Sequence, residues 1–351
     1  MITASLLPRH TSPGVPSSGI PRGTWQRDLA AGFSSPEDLL AELGLDGALL
    51  SPAARAAHAR FRLRVPRSYV RRMRHGDPAD PLLRQVLPLD AELIEAPGFE
   101  PDPLHERAAE LVPGLLQKYH GRALLVTTGA CAIHCRYCFR REFPYADHVS
   151  GPNLEAALAA IGADPSIEEV ILSGGDPLSL TDARLAAITH ALARLPTVRR
   201  LRLHTRQPIV LPSRVDEGLI DWLSQLSLST VIVLHANHPA ELDTEVAAAL
   251  ARLRATGATL LNQSVLLKGV NDDAAVLAAL SQRLFETGVL PYYLHALDPV
   301  RGAAHFDVPE TTARHLMATL GARLPGYLVP RLVREVPGAT AKVSLGSLPV
   351  M

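Results

Sequence analysis

From Arg122 onward the chain alternates two patterns of apolar residues. Short runs at 123–128, 169–173, 201–205, 230–234, 259–265 and 291–296 are rich in Val, Ile and Leu. They are too short for helices and read as strands. Between them, amphipathic stretches at about 153–163, 181–195, 215–226, 239–256 and 272–287 carry the helical period. Continuous apolar strands joined by helical crossovers predict an α/β fold with a parallel sheet buried on both faces. Six such strands are fewer than the eight of a closed barrel. In βα architectures chemistry gathers at the C-terminal ends of the strands.

Upstream the pattern differs. Residues 1–22 are rich in Pro, Ser and Gly and are expected to form a flexible leader. From 24 to 64 the pattern turns helical, with Ser35-Pro36-Glu37-Asp38 and Ser51-Pro52 as start signals. Residues 64–69 open another short helix, which 77–80 breaks. Residues 88–116 carry many prolines and read as an irregular wrap. The expected organisation is a leader at 1–22, an N-terminal extension at 23–116, a βα domain at 117–300 and a C-terminal segment at 301–351.

The 35 basic and 35 acidic side chains cancel, so no global field favours nucleic acid or an anionic membrane. No sustained apolar segment opens the chain and no run is long enough to span a bilayer, so neither a signal peptide nor a transmembrane helix is expected. The three cysteines leave no disulfide framework, which suits a reducing cytoplasm.

All three cysteines sit in one stretch, Cys131, Cys135 and Cys138, spaced C-x3-C-x2-C. Thiolates are soft ligands that suit iron–sulfur clusters or zinc. Three of them can hold three irons of a cubane and leave the fourth open to a small molecule. The alternatives are a Cys3His zinc site completed by His134 or His148, in a non-enzymatic interaction module, or three inert thiols. This loop directly follows the first strand. After the second come Gly174, Gly175 and Asp176, where glycines permit close backbone approach and Asp176 suits an ammonium group. His204-Thr205-Arg206 and His235 end the third and fourth strands, Gln263 lies on the fifth, and Asp298 follows the sixth.

The cysteine spacing resembles the radical S-adenosylmethionine (SAM) enzymes, which implies an open, partial six-unit βα barrel, a [4Fe-4S] cluster, and SAM near Gly174, Gly175, Asp176, His235 and Gln263. A closer likeness lies in Cys-Arg-Tyr-Cys-Phe-Arg-Arg, Ser-Gly-Gly-Asp-Pro-Leu, Leu-Leu-Asn-Gln-Ser-Val-Leu-Leu and Pro-Tyr-Tyr-Leu-His. These are similar to the lysine 2,3-aminomutase family. The upstream stretches Arg64-Val65-Pro66-Arg67-Ser68, 80–86 and 113–120 resemble its branch that serves (R)-β-lysylation of elongation factor P. The likeness spans roughly residues 25–345.

The resemblance implies pyridoxal 5′-phosphate (PLP) on Lys342 in the C-terminal tail, with Arg122 and Lys118 at its phosphate. This chain has Lys-Val-Ser where the family usually has Lys-Thr-Pro. Arg140 matches the arginine for the substrate carboxylate, and Asp298 and Glu335 match the acids that hold the ε-ammonium of lysine. Two carboxylates favour lysine over glutamate. The implied activity is an isomerase converting (S)-α-lysine to (R)-β-lysine, its product passed to elongation factor P by a separate β-lysyl ligase. Flavodoxin or ferredoxin would be the reductant, and a homo-oligomer is compatible with the family. The alternative is a catabolic or biosynthetic enzyme releasing free β-lysine, but relatives of that kind carry extra C-terminal cysteines that this chain lacks.

Overall fold

A computed structural model describes residues 20–149 and 151–346. Residues 1–19 of the expected leader lie outside them. The sheet has ten strands in sequential order: β1 Glu110–Val112, β2 Leu115–Tyr119, β3 Arg122–Thr128, β4 Glu169–Gly174, β5 Arg200–Thr205, β6 Ser229–Leu234, β7 Thr259–Val265, β8 Leu290–His295, β9 Arg331–Arg334 and β10 Val343–Ser344. Strands β3 to β9 run parallel, and β1, β2 and β10 pair antiparallel at the two margins. No ladder joins β1 to β10, so the barrel stays open.

The six predicted strands are present, and a seventh parallel strand, β9, follows the helix Glu310–Arg323. The wrap expected over 88–116 is not wholly irregular. It contains β1 and the start of β2, which pairs antiparallel with β3 through Leu115–Leu125.

The expectation of a sheet apolar on both faces also needs revision. On β5, Leu201, Leu203 and Thr205 are buried toward the helices while Arg202 and His204 alternate onto the inner face. On β7, Gln263 alternates in the same way between Asn262 and Ser264. The strands are apolar outward and polar inward. The inner face lines a cavity rather than a second core layer.

The N-terminal helices form where their caps predict. Ser35 Oγ accepts from Asp38 N, Ser51 Oγ from Ala53 N and Ala54 N, and Asp80 from Leu82 N and Leu83 N. Their core includes Leu39, Leu40, Leu63, Tyr69 and Leu82, together with Ala132 and Ile133 of the cysteine loop. The extension is therefore the backing of that loop. Among the described residues no helix is long and apolar enough to cross a membrane.

Candidate active site

The cysteine loop leaves the end of β3 and is fixed from behind. Arg136 is fully buried and donates Nε (2.8 Å) and Nη2 (2.5 Å) to Glu92, with Nη1 on Phe61 O. Arg141 reaches the same Glu92 at 2.7 Å. The backbone N–H of Arg136 donates to Gln85 O and that of His134 to Arg64 O. From the front the loop meets the turn after β4. Gly175 N donates to Thr128 O and Asp176 N to Ala130 O. A Cβ on Gly175 would lie 2.5 Å from Ala130 O, so only glycine permits this contact.

The result is a cavity of about 440 Å³. Cys131, Cys135, Cys138, Gly174, Gly175, Asp176, His235, Gln263, Arg122, Lys118, Arg140, Asp298, Glu335 and Lys342 all contribute to its wall. The structure thus gathers the expected cluster, SAM, PLP and substrate residues around one space, while His134 and His148 stay outside its wall.

Among the described residues, no three His, Cys, Asp or Glu converge closely enough for a single metal ion. Both histidines of the zinc alternative are engaged elsewhere. His134 Nδ1 faces Arg62 O at 2.8 Å and its ring stacks on Phe61, while His148 contacts Pro144 O and Glu110. Three thiols on one loop, with no fourth His, Cys, Asp or Glu completing a single-metal site among the described residues, fit a multi-iron cluster in which each thiolate holds its own iron. Burial and the neighbouring Cys135 push the Cys138 thiol up to about 11, and burial with Cys138 raises the Cys131 thiol well above its ordinary value. A cationic core relieves that repulsion.

Asp176 departs from expectation. Its Oδ1 accepts from Leu178 N and Thr205 Oγ1 and its Oδ2 from Arg206 N and Gln207 N, at 2.7–3.0 Å. Four donors saturate the carboxylate, so it ties the end of β5 to the turn after β4 and is not free to receive an ammonium group. Gly174, at φ 114°, and Gly175 serve that same packing against the cysteine loop.

From Arg140 a chain of alternating charges runs along the cavity wall. Arg140 donates Nε (2.6 Å) and Nη2 (2.8 Å) to Glu106, and Nη1 to Ser173 Oγ (3.0 Å) and Gly174 O. Lys118 Nζ lies 3.0 Å from Glu106 and 2.7 Å from Glu335, and Lys342 Nζ pairs with the other oxygen of Glu335. Arg140 thus lacks the open two-donor edge expected for a substrate carboxylate and keeps one N–H in reserve. Lys118, expected at a phosphate, is already shared between two carboxylates. Burial would raise Glu335, but Lys342 and Lys118 hold it at about 2. Burial would raise Glu106 too, and Arg140 and Lys118 hold it below its ordinary value.

Asp298 is the exception to this pairing. Its Oδ1 is buried with no hydrogen-bond partner among the described residues. Burial, reinforced by Glu335, pushes its carboxyl up to about 7. Burial also lowers His235 and His295 to about 3, so both rings are neutral at the cavity wall. Sequence reasoning missed Glu106, Arg202 and the role of Arg206. Arg202 lines the cavity and its buried Nε has no partner among the described residues. A charged residue amid β5 leucines was the available signal. Glu106 lies in a proline-rich segment that offered none.

Lys342, Arg122 and the unpartnered Arg202 Nε provide an amine and cationic donors in one cavity. That donor set fits an aldehyde cofactor bearing a phosphate. Residues 125–279 match the radical SAM superfamily. The chain is 48% identical to L-lysine 2,3-aminomutase of Escherichia coli, covering 92% of this chain and 95% of that protein. Its identity to the Haemophilus influenzae L-lysine 2,3-aminomutase is 46%, over 91% and 94%. For the Clostridium subterminale L-lysine 2,3-aminomutase the values are 35%, over 80% and 68%.

Proposed function

The chain belongs to the lysine 2,3-aminomutase family of the radical SAM superfamily, and from that premise we propose that it converts (S)-α-lysine to (R)-β-lysine. The observation that carries the substrate assignment is Asp298, a buried carboxylate with one unpartnered oxygen, set beside Glu335 in the cavity that holds Lys342. A desolvated acceptor of this kind costs stability unless a donor meets it. The ε-ammonium of lysine supplies three donors and a matching charge, whereas the side-chain carboxylate of glutamate would be repelled.

Cys131, Cys135 and Cys138 would hold the cluster. The backbone of Gly174 and Gly175, with His235 and Gln263, would face SAM. Lys342, Arg122 and Arg202 would hold PLP. When bound, these groups supply a carbon-centred radical for hydrogen abstraction and an electron-accepting carbonyl carbon for the migrating nitrogen.

The chain's own part is positioning and charge. Lys342 is kept near the substrate side chain's site by Glu335, and release of that pair frees Glu335 for the incoming ammonium. Asp298 accepts the second N–H. Arg140, locked by Glu106, offers its remaining N–H to the α-carboxylate. Neutral His235 and His295 add no competing charge.

The product's destination is proposed to be elongation factor P, through a separate ligase. The upstream motifs at 64–68, 80–86 and 113–120 support this branch over one releasing free β-lysine. A low-potential flavodoxin or ferredoxin would be the electron donor.

The test is an anaerobic assay on reconstituted protein with lysine, SAM, PLP and a strong reductant, resolving α- from β-lysine by chromatography and mass spectrometry. β-Lysine from the wild type and none from Lys342→Ala is the expected result. SAM cleavage without β-lysine would overturn the substrate assignment.

A further inference from the structure

Beneath the cysteine loop lies a buried cation that the proposed reaction does not use. Arg206 follows β5 and is 6% exposed. Its Nη1 lies 2.7 Å from Cys135 Sγ and also meets the Tyr137 hydroxyl. Its Nη2 donates to Gln85 Oε1 (2.7 Å), Glu241 Oε2 (2.9 Å) and the Tyr69 hydroxyl (3.2 Å). Its backbone N–H is one of the four donors to Asp176. With contacts on both terminal nitrogens and on the backbone, the guanidinium is locked in place.

That lock has a direction. Glu241 is fully buried and receives Asn237 N, His238 N and Gln85 on its other oxygen, so it stays charged behind the Nη2 side. Cys135 meets the Nη1 side. The Arg206–Glu241 pair therefore presents its positive end to one thiolate. If the pair served only to join the N-terminal extension to the barrel, it could be buried anywhere along that seam without touching sulfur.

We propose that Arg206 raises the reduction potential of the cluster bound by Cys135, through an N–H···S hydrogen bond and a buried positive charge at that thiolate. The proposal rests on the reading of the three cysteines as cluster ligands. Reduction adds one electron from a low-potential donor, with no bond made or broken, and places extra negative charge on the irons and their sulfurs. A donor and a cation at sulfur stabilise the reduced form more than the oxidised form. The low dielectric of a buried site strengthens the effect. Asp176 acts here as a positioning residue, since it fixes the backbone from which Arg206 reaches sulfur.

The experiment is a potentiometric titration of the full chain, reconstituted anaerobically, without SAM or lysine, read by electron paramagnetic resonance. Arg206→Gln is expected to shift the midpoint to a more negative potential, with Arg206→Lys closer to wild type. Arg206→Met combined with Glu241→Gln removes both charges, avoids a stranded carboxylate, and is expected to shift the same way. An unchanged midpoint in these variants, at full iron and sulfide content, overturns the proposal and leaves the cluster reading intact. Wild-type protein lacking iron and sulfide would overturn that underlying reading instead. A measurement needing no variant uses wild-type protein grown on guanidino-15N arginine. A 15N coupling at the reduced cluster supports the contact, and its absence overturns it.

Discussion

Lys118 Nζ lies 2.7 Å from Glu335 Oε1, joining β2 near one margin of the open sheet to the segment just past β9 near the other. The ladder leaves the barrel open, and this ion pair spans the gap with side chains. Both are more than four-fifths buried, so screening by salt is weak. Lys118→Met would leave Glu106 with Arg140 and Glu335 with Lys342 but remove the cation buried between the two carboxylates. The expected cost is about 3 kcal/mol in denaturant unfolding, the low end for removing one partner of a buried ion pair. An unfolding free energy equal to wild type would mean that the pair does not hold the margins together.

Asp298 gives the site a pH dependence of defined sign. Its carboxyl titrates at about 7, while the ammonium of lysine stays charged far above that and Glu335 stays ionised at about 2. On the proposed substrate assignment, Asp298 protonated below about 7 no longer attracts the ammonium. The value of kcat/KM for lysine is expected to fall with falling pH through that region, about tenfold per unit. Asp298→Asn should have a low and flat profile. A sloping profile in the variant would assign the titration to another group.

Gly175 tests the fit between the two loops. A methyl group there would sit 2.5 Å from Ala130 O and 2.8 Å from Gly129 C, both backbone atoms that cannot swing aside. Gly175→Ala is expected to cost about 1–3 kcal/mol and to lower iron bound per chain after reconstitution. Wild-type iron content would show that the loop yields without losing its thiol geometry.

Glu92 serves two arginines of the cysteine motif. Glu92→Gln leaves Arg136, with no exposed side-chain surface, beside a neutral amide. A loss of about 3–5 kcal/mol is expected, with faster loss of cluster absorbance in chelator. Glu92→Asp keeps the charge and should fall between the two. Chelator rates identical to wild type would separate the loop from its backing.

The parallel strands were legible because each is a run of apolar residues between amphipathic helices, and the observed boundaries differ by a residue or so. Strand β9, Arg-Leu-Val-Arg, has arginine at each end and too short an apolar run to stand out. Strand β2 contains Gln117 and Lys118 and exists through its pairing with β3. The thiols were visible because spacing alone constrains them. Asp176 was misread because a Gly-Gly-Asp turn does not reveal how many backbone donors converge on its carboxylate. The partners of Arg140 and Lys118 meet in Glu106, and a carboxylate recruited across the fold leaves no local pattern. Arg206 was equally hidden, since its contact with Cys135 joins residues 71 positions apart.

The acceptors that hold Arg136 from behind are Phe61 O, Gln85 O and Glu92, all earlier in the chain than the thiols. The donors that meet the loop elsewhere, Gly175 N in front and Arg206 Nη1 beneath, come later. During synthesis the back of the iron site therefore has its anchors as soon as the cysteines emerge, while the rest is completed only after β5 has been made. A chain halted between Arg141 and Arg200 would carry all three thiols on a supported loop without the guanidinium that meets Cys135. The order of translation thus separates having the three thiols from having the guanidinium that meets one of them.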